Sequence, residues 1–314
     1  LKRYTQLSDF KKLDNAIVTI GTFDGVHFGH QKIIKRLCEL AKSSGGESVL
    51  LTFFPHPRMI IDPENQALKM INTIEEKAQI LAGLGVDHLI ITPFTRDFSN
   101  LSATDYIKNI LVDAIGTKKI IIGYDHRFGK DRLGNINTLM QNASNYGYLV
   151  EEIPEQDIND VAVSSTKIRK ALLDGDVALA NKYLGYAFSI YGPVIKGDKI
   201  GRTIGFPTAN IFVPETYKLI PGDGIYAVTV EMGEEKNPEV YRGMAYIGQR
   251  PTINGMTRNI EVNIFDFNRE IYGQNIKMNF LAFLREDVKF TGLEALTKQL
   301  QKDKEDTLAF FAGK

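Results

Sequence analysis

The sequence predicts an α/β doubly wound parallel-sheet domain followed by a β-barrel and a C-terminal helix, and three observations predict it. In the first half, short runs rich in Val, Ile and Leu alternate with stretches of helical spacing. Irregular segments bearing glycine and histidine follow those runs. Past residue 185 the helical spacing gives way to short strand-like runs separated by turns. A chain of 314 residues exceeds one ordinary domain, so two units are expected.

Taken in order, strand-like runs fall at 16–21, 48–54, 88–94 and 118–123, short enough for buried parallel strands. Helical patterns separate them at 31–42, 73–84 and 104–115. In a doubly wound sheet ligands sit beyond the carboxyl ends of the strands. The irregular segments fall at those ends: residues 21–30 after the first run, Phe54-Pro55-His56-Pro57 after the second, and Gly123-Tyr124-Asp125-His126-Arg127-Phe128-Gly129 after Ile122. Three such loops on one rim predict a single site. Next, Val163-Ser164-Ser165-Thr166-Lys167-Ile168-Arg169 opens a helix with hydroxyl caps and basic residues near its unpaired amides. A second helical stretch ends at Tyr183-Leu184-Gly185. Strand-like runs then occupy 188–195, 224–232, 241–247, 259–267 and 276–284, with turns at Lys196-Gly197-Asp198-Lys199 and Pro221-Gly222-Asp223-Gly224. A helix over 292–311 closes the chain. The change of pattern places one domain at 1–184 and the other at 185–314.

Composition narrows the function classes. Hydrophobic residues make up 43% and charged residues 24%, which describes a soluble globular chain. With a formal net charge of +0, nothing argues for a broad nucleic-acid or membrane surface, and an anion must be caught locally. No apolar run approaches the roughly 20 residues of a membrane span, and Leu1-Lys2-Arg3-Tyr4 lacks the apolar core of a signal peptide. The cytoplasm is the expected compartment. The single cysteine excludes an internal disulfide framework, and Cys38 shares a helical face with Ile34, Leu37 and Ala41, which reads as core.

The chemistry concentrates in a few segments. Residues 21–30 read Gly21-Thr22-Phe23-Asp24-Gly25-Val26-His27-Phe28-Gly29-His30, a strand-to-helix turn with two imidazoles three apart. Its glycines let backbone approach a ligand, the helix beyond offers free N–H groups, and the imidazoles can donate to phosphate oxygens. No G-x-x-x-x-G-K-[ST] and no H-E-x-x-H string occurs. Of the five histidines, His27, His30, His56 and His126 fall in the three rim loops, whereas His88 precedes an apolar strand and reads as structural. Zinc would suit such a cluster, but glycines and helix N-termini fit phosphate better. The second half has no histidine, so a base there must be a carboxylate. Its densest segment is Gly201-Arg202-Thr203-Ile204-Gly205-Phe206-Pro207-Thr208-Ala209-Asn210. Thr208 and Asn210 share a face if the backbone is extended, and their oxygens with phosphates would make an Mg²⁺ site. A barrel turn capped by Thr and Asn is the other reading. Glu261, inside an otherwise apolar strand, faces either water or a pocket, where it would serve as a base.

The decapeptide is similar to the His-x-Gly-His signature of ATP-binding nucleotidyltransferases. Together with F-P-H-P, the G-x-D-x-R-F-G loop, S-S-T-K-I-R, G-R-T-I-G-F-P-T-A-N and E-V-N-I-F-D-F, in that order over nearly the whole chain, it resembles the prokaryotic bifunctional riboflavin kinase/FAD synthetases. His126 departs from the aromatic residue more usual there. The resemblance implies an FMN adenylyltransferase of the nucleotidyltransferase fold in the first domain. In it the FMN phosphate attacks the α-phosphorus of ATP and gives FAD and pyrophosphate. His27 and His30 would stabilise transition-state charge. Gly21, Phe23, Asp24, Gly29 and Asp125 would hold the nucleotide, and Ser164, Ser165, Thr166 and Arg169 the polyphosphate. It implies a riboflavin kinase barrel in the second domain. There Gly201, Arg202, Gly205 and Pro207 would contact ATP, Thr208 and Asn210 would hold Mg²⁺, and Glu261 would take the ribityl hydroxyl proton. The ligands implied are riboflavin, FMN, FAD and ATP, with no nucleic acid or membrane.

Two other readings remain open from the residues. In one, the first domain is an adenylyl- or cytidylyltransferase for another phosphorylated metabolite with the barrel a non-catalytic regulator; in the other, the chain is a flavin-binding carrier or regulator whose sites do not turn over.

Overall fold

The computed structural model describes residues 1–62, 68–154, 163–197, 200–234, 237–252 and 255–313, so Asp198 and Lys199 of the expected turn lie outside the described residues. The chain divides into two units, Leu1–Ser165 and Thr166–Lys314.

In the first unit the apolar runs become strands of one parallel sheet, because each is buried between helices that cover both faces. The strands are β1 (Lys2–Tyr4), β2 (Ala16–Ile20), β3 (Glu47–Phe54), β4 (His88–Pro93), β5 (Thr117–Gly123) and β6 (Leu149–Ile153). Their order is β1-β4-β3-β2-β5-β6, every pairing parallel. The chain builds β2, β3 and β4 outward to one side, then returns to set β5 on the other side of β2. The switch point therefore lies between β2 and β5, and β2 leads into residues 21–30. Helix α1 (Phe28–Ser44) buries Ile33, Ile34, Leu37 and Ala41 and ends on Gly45 at φ 64°. Helix α2 (Ile74–Gly83) starts at a capping box in which Thr73 and Glu76 bond each other's backbone N–H.

The helix expected over 104–115 takes an unexpected form. After a short turn, Ala103–Asp105, the segment Tyr106–Ile115 winds as a π-helix and stops at Gly116, φ 82°. It buries Tyr106, Ile107, Ile110, Leu111 and Ile115 against the sheet. Strands β1 and β6 and helix α3 (Ile136–Tyr146) were not predicted. Both strands are sheet edges; β1 is mostly charged and β6 carries Glu151 and Glu152, so neither shows an apolar run.

The second unit begins with α4 (Ser165–Leu173, whose first residue belongs to the first unit) and α5 (Val177–Leu184). A closed antiparallel barrel follows: β7 (Ser189–Ile195), β8 (Ala209–Ile211), β9 (Gly224–Met232), β10 (Glu239–Thr252), β11 (Gly255–Ile264) and β12 (Asn275–Arg285), in the order β10-β11-β8-β7-β12-β9. Closure gives each of the six strands a neighbour on both sides. Strand β8 was expected only as an irregular segment. Its three residues complete the barrel by pairing Ile211 with Val194 and Asn210 with Glu261. Helix α6 (Leu293–Ala312) ends the unit. Helices α4 and α5 are tied to the barrel. The Asn181 amide donates to the Phe280 carbonyl at 2.7 Å and accepts from the Phe188 N–H at 2.7 Å. The Gly222 N–H donates to the Leu172 carbonyl at 2.9 Å. Among the described residues no helix is long and apolar enough to cross a membrane.

Candidate active sites

In the first unit the turn after β2 is held in a conformation that L-residues rarely adopt. Phe23 and Val26 have φ of 44° and 36°, and Gly25 has φ 84°. Such geometry at a β-branched residue persists only where its surroundings over-determine it. They do so here. Thr52 Oγ1 donates to the Thr22 carbonyl at 3.2 Å, and Lys77 Nζ donates to the same oxygen at 2.7 Å. The Asp24 carboxylate, 1% exposed, accepts from the Ile71 N–H at 3.0 Å and the Asn72 N–H at 3.4 Å. Ser165 Oγ donates to the Asp24 carbonyl at 2.9 Å, and the Gln31 side chain to the Val26 carbonyl at 2.8 Å. Gly21 lets the turn tighten, because a Cβ there would sit 3.0 Å from the Phe23 ring.

This turn delivers two imidazoles to one place. His27 is the N-cap position of α1, with His30 one turn on. Their rings stack at 3.6 Å between centroids and 18° apart, and Phe23 meets His30 edge-on at 5.1 Å. Burial lowers the His27 pKa to about 4. For His30 burial acts first, with the nearby His27 and Lys77 adding to it, and its pKa falls well below the ordinary value. Both are neutral at pH 7. Neither Nδ1 has a hydrogen-bond partner among the described residues. A buried imidazole nitrogen without a partner costs stability, so a ligand that satisfied both would recover it. An arriving anion would also raise both pKa values by favouring the charged form.

The other predicted residues divide. Gly29 is buried in the first turn of α1, and Asp125 is exposed in the turn after β5. Ser164 and Ser165 stand at the start of α4, and Thr166 and Arg169 follow on that helix within the second unit. His56 caps a single helical turn, its Nδ1 accepting from the Arg58 N–H at 3.2 Å. His126 stacks on Phe128 at 5.8 Å with Nε2 unpartnered among the described residues, and burial, then Arg132, lowers its pKa to about 4. His88 lies at the amino end of β4, bonded to Glu47 at 2.8 Å and to Tyr4 at 3.1 Å.

Lys77 was missed. It is 0% exposed, and burial lowers its pKa to about 8 against the opposing pull of Asp24. A signal for it exists. Ile74, Lys77, Ala78 and Leu81 form a helical stripe, and a lysine on a stripe otherwise apolar calls for a charge-bearing role.

In the second unit the kinase candidates meet. Glu261 and Asn210 are directly paired across β11 and β8, so their side chains share a face. Thr208 Oγ1 donates to Glu261 Oε2 at 2.8 Å, and the Asn259 amide donates to Oε1 at 2.6 Å. Asn210 is 9% exposed, packed over Gly197, where a Cβ would sit 2.4 Å from its Nδ2. Thr208 and Glu261 face a cavity of about 330 Å³ that Gly201 also lines. Its apolar wall is Ile204, Phe206, Met244, Val288, Phe290, Leu296 and Leu300. Beside it Tyr246 donates to Asp287 at 3.0 Å, and Arg285 forms two bonds to the buried Asp303, at 2.7 and 2.6 Å. Arg202 is exposed on a short helical turn, Ile200–Thr203, and Gly205 and Pro207 are exposed on the loop that leads from it to β8. That loop closes on Gly201, whose carbonyl accepts from the Phe206 N–H at 2.8 Å. Asp266 and Glu270 lie beyond the end of β11 and are exposed; Asp266, at φ 54°, sits in a turn and not on a strand face.

Two families of known proteins match successive parts of the chain. Residues 9–167 match the FAD synthetase family and residues 184–311 the riboflavin kinase family. A bifunctional riboflavin kinase/FMN adenylyltransferase of Listeria monocytogenes is 41% identical over 299 residues, covering 95% of this chain and 93% of its own. Proteins of the same description from Bacillus subtilis and Escherichia coli K12 are 37% and 35% identical, each covering 95% of this chain and 93% of its own. A crystal structure from Streptococcus pneumoniae, described as a macrolide-efflux protein, superposes with a TM-score of 0.87 at 33% identity and covers 98% of both chains. Identity at that level over both units leaves one conclusion: the chain belongs to the family of bifunctional riboflavin kinase/FMN adenylyltransferases.

Proposed function

We infer that this chain makes FAD from riboflavin in two ATP-dependent steps, phosphorylation to FMN and adenylylation of FMN. The observation that carries the reading is the match of each unit to a different transferase family, each with its own candidate site. We assign adenylylation to residues 1–184 and phosphorylation to residues 185–314, with α4 and α5 supporting the barrel.

In the barrel, the cavity of about 330 Å³, lined by apolar side chains together with Thr208, Glu261 and Asn263, suits a flat tricyclic ring with a hydroxylated tail. Glu261 is one of its polar residues. Its carboxylate takes the proton of the terminal ribityl hydroxyl as that oxygen attacks the γ-phosphorus, and ADP leaves. The bond from Thr208 and the pairing with Asn210 orient it. The Thr208 hydroxyl and the Asn210 amide oxygen are hard neutral donors on one face, a set that fits Mg²⁺ sharing its remaining positions with phosphates. When bound, that ion would neutralise charge on the transferring phosphoryl group.

In the α/β unit, a phosphate oxygen of FMN attacks the α-phosphorus of ATP and pyrophosphate departs. His27 and His30 donate hydrogen bonds to the phosphate oxygens, where charge builds in the transition state. The N–H groups at the start of α1 add to that field. Asp24 acts by bracing the turn, since its carboxylate is turned to Ile71 and Asn72. Asp125 and Ser164 are assigned to nucleotide and polyphosphate contacts, Thr166 and Arg169 receive that role from the family motif alone, and Gly201, Arg202, Gly205 and Pro207 are assigned to ATP in the barrel.

The test is the product profile of the purified chain. Riboflavin, ATP and Mg²⁺ should yield FMN and then FAD, and supplied FMN should yield FAD with pyrophosphate. Flavin binding without product, or FMN as the sole product, would overturn the reading.

A further inference from the structure

We propose that Lys77 is a positioning residue for adenylylation, a charged anchor that fixes the Thr22–His27 turn from beneath and thereby aims His27 and His30. The inference rests on the adenylyltransferase reading of the first unit.

The geometry is specific. Lys77 lies on the sheet-facing side of α2, between Ala78 and Leu81 on one side and the turn after β2 on the other, and no part of it reaches solvent. Its Nζ donates to the Thr22 carbonyl at 2.7 Å, one residue before the left-handed Phe23. A charge-assisted bond of that length restrains the carbonyl more firmly than the Thr52 hydroxyl does at 3.2 Å. The same turn carries the Asp24 carboxylate, whose charge offsets part of the cost of burying the ammonium. A packing role alone would be filled at less cost by an apolar residue, as at the neighbouring stripe positions. What an apolar residue would lack is the bond to Thr22 and a fixed positive charge behind His30.

That charge acts on the pair. Among the described residues, the ionisable groups facing Lys77 are Asp24 from the turn and His30 from α1; Glu76, beside it on α2, accepts from the Thr73 N–H at 2.8 Å. Lys77 helps keep His30 neutral until an anion arrives. His30 therefore enters the reaction as an N–H donor in a fixed orientation, with a positive charge already behind it. Such preorganisation lowers the barrier without adding a contact to the substrate.

The experiment uses the full chain and follows both reactions against pH. Lys77 is charged below its pKa of about 8, so wild-type FAD formation from FMN should fall as pH rises through that value. Riboflavin phosphorylation, measured with the same ATP and Mg²⁺, should show no matching fall. Lys77→Met should lower kcat for FAD formation roughly 10- to 100-fold, with a smaller change in the KM for ATP and no alkaline limb. Asp24→Asn, which removes the charge favouring the ammonium, should move the limb to lower pH. The inference is overturned if wild-type FAD formation has no alkaline limb near pH 8. It is equally overturned if Lys77→Met keeps wild-type kcat, or if Asp24→Asn leaves the limb in place. The wild-type profile decides the matter even if Lys77→Met does not fold. A wild-type chain that makes no FAD at all would instead sink the adenylyltransferase reading.

Discussion

Acid should loosen the first unit through its buried imidazoles, and His27 allows the effect to be sized. Folded His27 has a pKa of about 4 against an ordinary 6.5. At pH 7 it is neutral in the folded state and mostly neutral in the unfolded one, so it contributes little to the pH dependence. Below pH 6.5 the unfolded chain binds a proton that the folded chain refuses, so stability falls as pH drops and levels off below about 4. A gap of about 2.5 pH units corresponds to a ceiling of about 3 kcal/mol, of which about 2 kcal/mol is lost by pH 5. His30 acts in the same direction. Urea unfolding of the full chain at pH 7.5, 6 and 5, read by hydrogen exchange at the amides of β2 and α1, isolates this unit. In His27→Gln, which cannot take up the proton, the loss between pH 7.5 and 5 should be smaller by about 2 kcal/mol. If the variant and the wild type lose stability in parallel over that range, His27 is not held neutral by burial and the electrostatics described for the pair are wrong.

Three further outcomes are expected. A fragment beginning at residue 166 should fold and phosphorylate riboflavin, whereas one beginning at 185 should be less stable, because it loses the Asn181 and Leu172 bonds to the barrel; equal urea midpoints would contradict this. Asp303→Ala leaves the Arg285 guanidinium without its two-bond partner, which should cost about 3–5 kcal/mol in the second unit; its thermal transition should drop while hydrogen exchange in β2 stays unchanged. Thr208→Val removes one hard oxygen and the bond to Glu261, and should raise the Mg²⁺ concentration needed for FMN formation without affecting FAD formation from FMN.

Much of this was legible in the sequence because the informative residues are local. The turn at 21–30 follows an apolar strand and opens a helix, so its place on the rim follows from period alone, and the structure sets it at the sheet's switch point. The edge strands β1 and β6 were not legible, since half-exposed strands carry no apolar run. Strand β8 was hidden for another reason. Three residues have no period, and only pairing with β7 and β11 makes them a strand. That pairing also brings Glu261 opposite Asn210, a long-range fact that no local pattern contains. His56 shows the limit of counting histidines. Its position in a rim loop suggested chemistry, yet its ring caps a helical turn. Lys77 was visible as an anomaly on its stripe, but its partner, the Thr22 carbonyl, lies 55 residues away in sequence.

Two single variants compared in one assay test the two-site account most directly. Glu261→Gln should slow FMN formation from riboflavin by about 10²–10⁴ while forming FAD from supplied FMN at the wild-type rate. His30→Ala should do the reverse, slowing FAD formation by about 10²–10³ while phosphorylating riboflavin normally. Mixed together with riboflavin, ATP and Mg²⁺, the two variants should restore FAD production. If either variant depresses both reactions equally, or if the mixture makes no FAD, the chain does not carry two independent transferase sites.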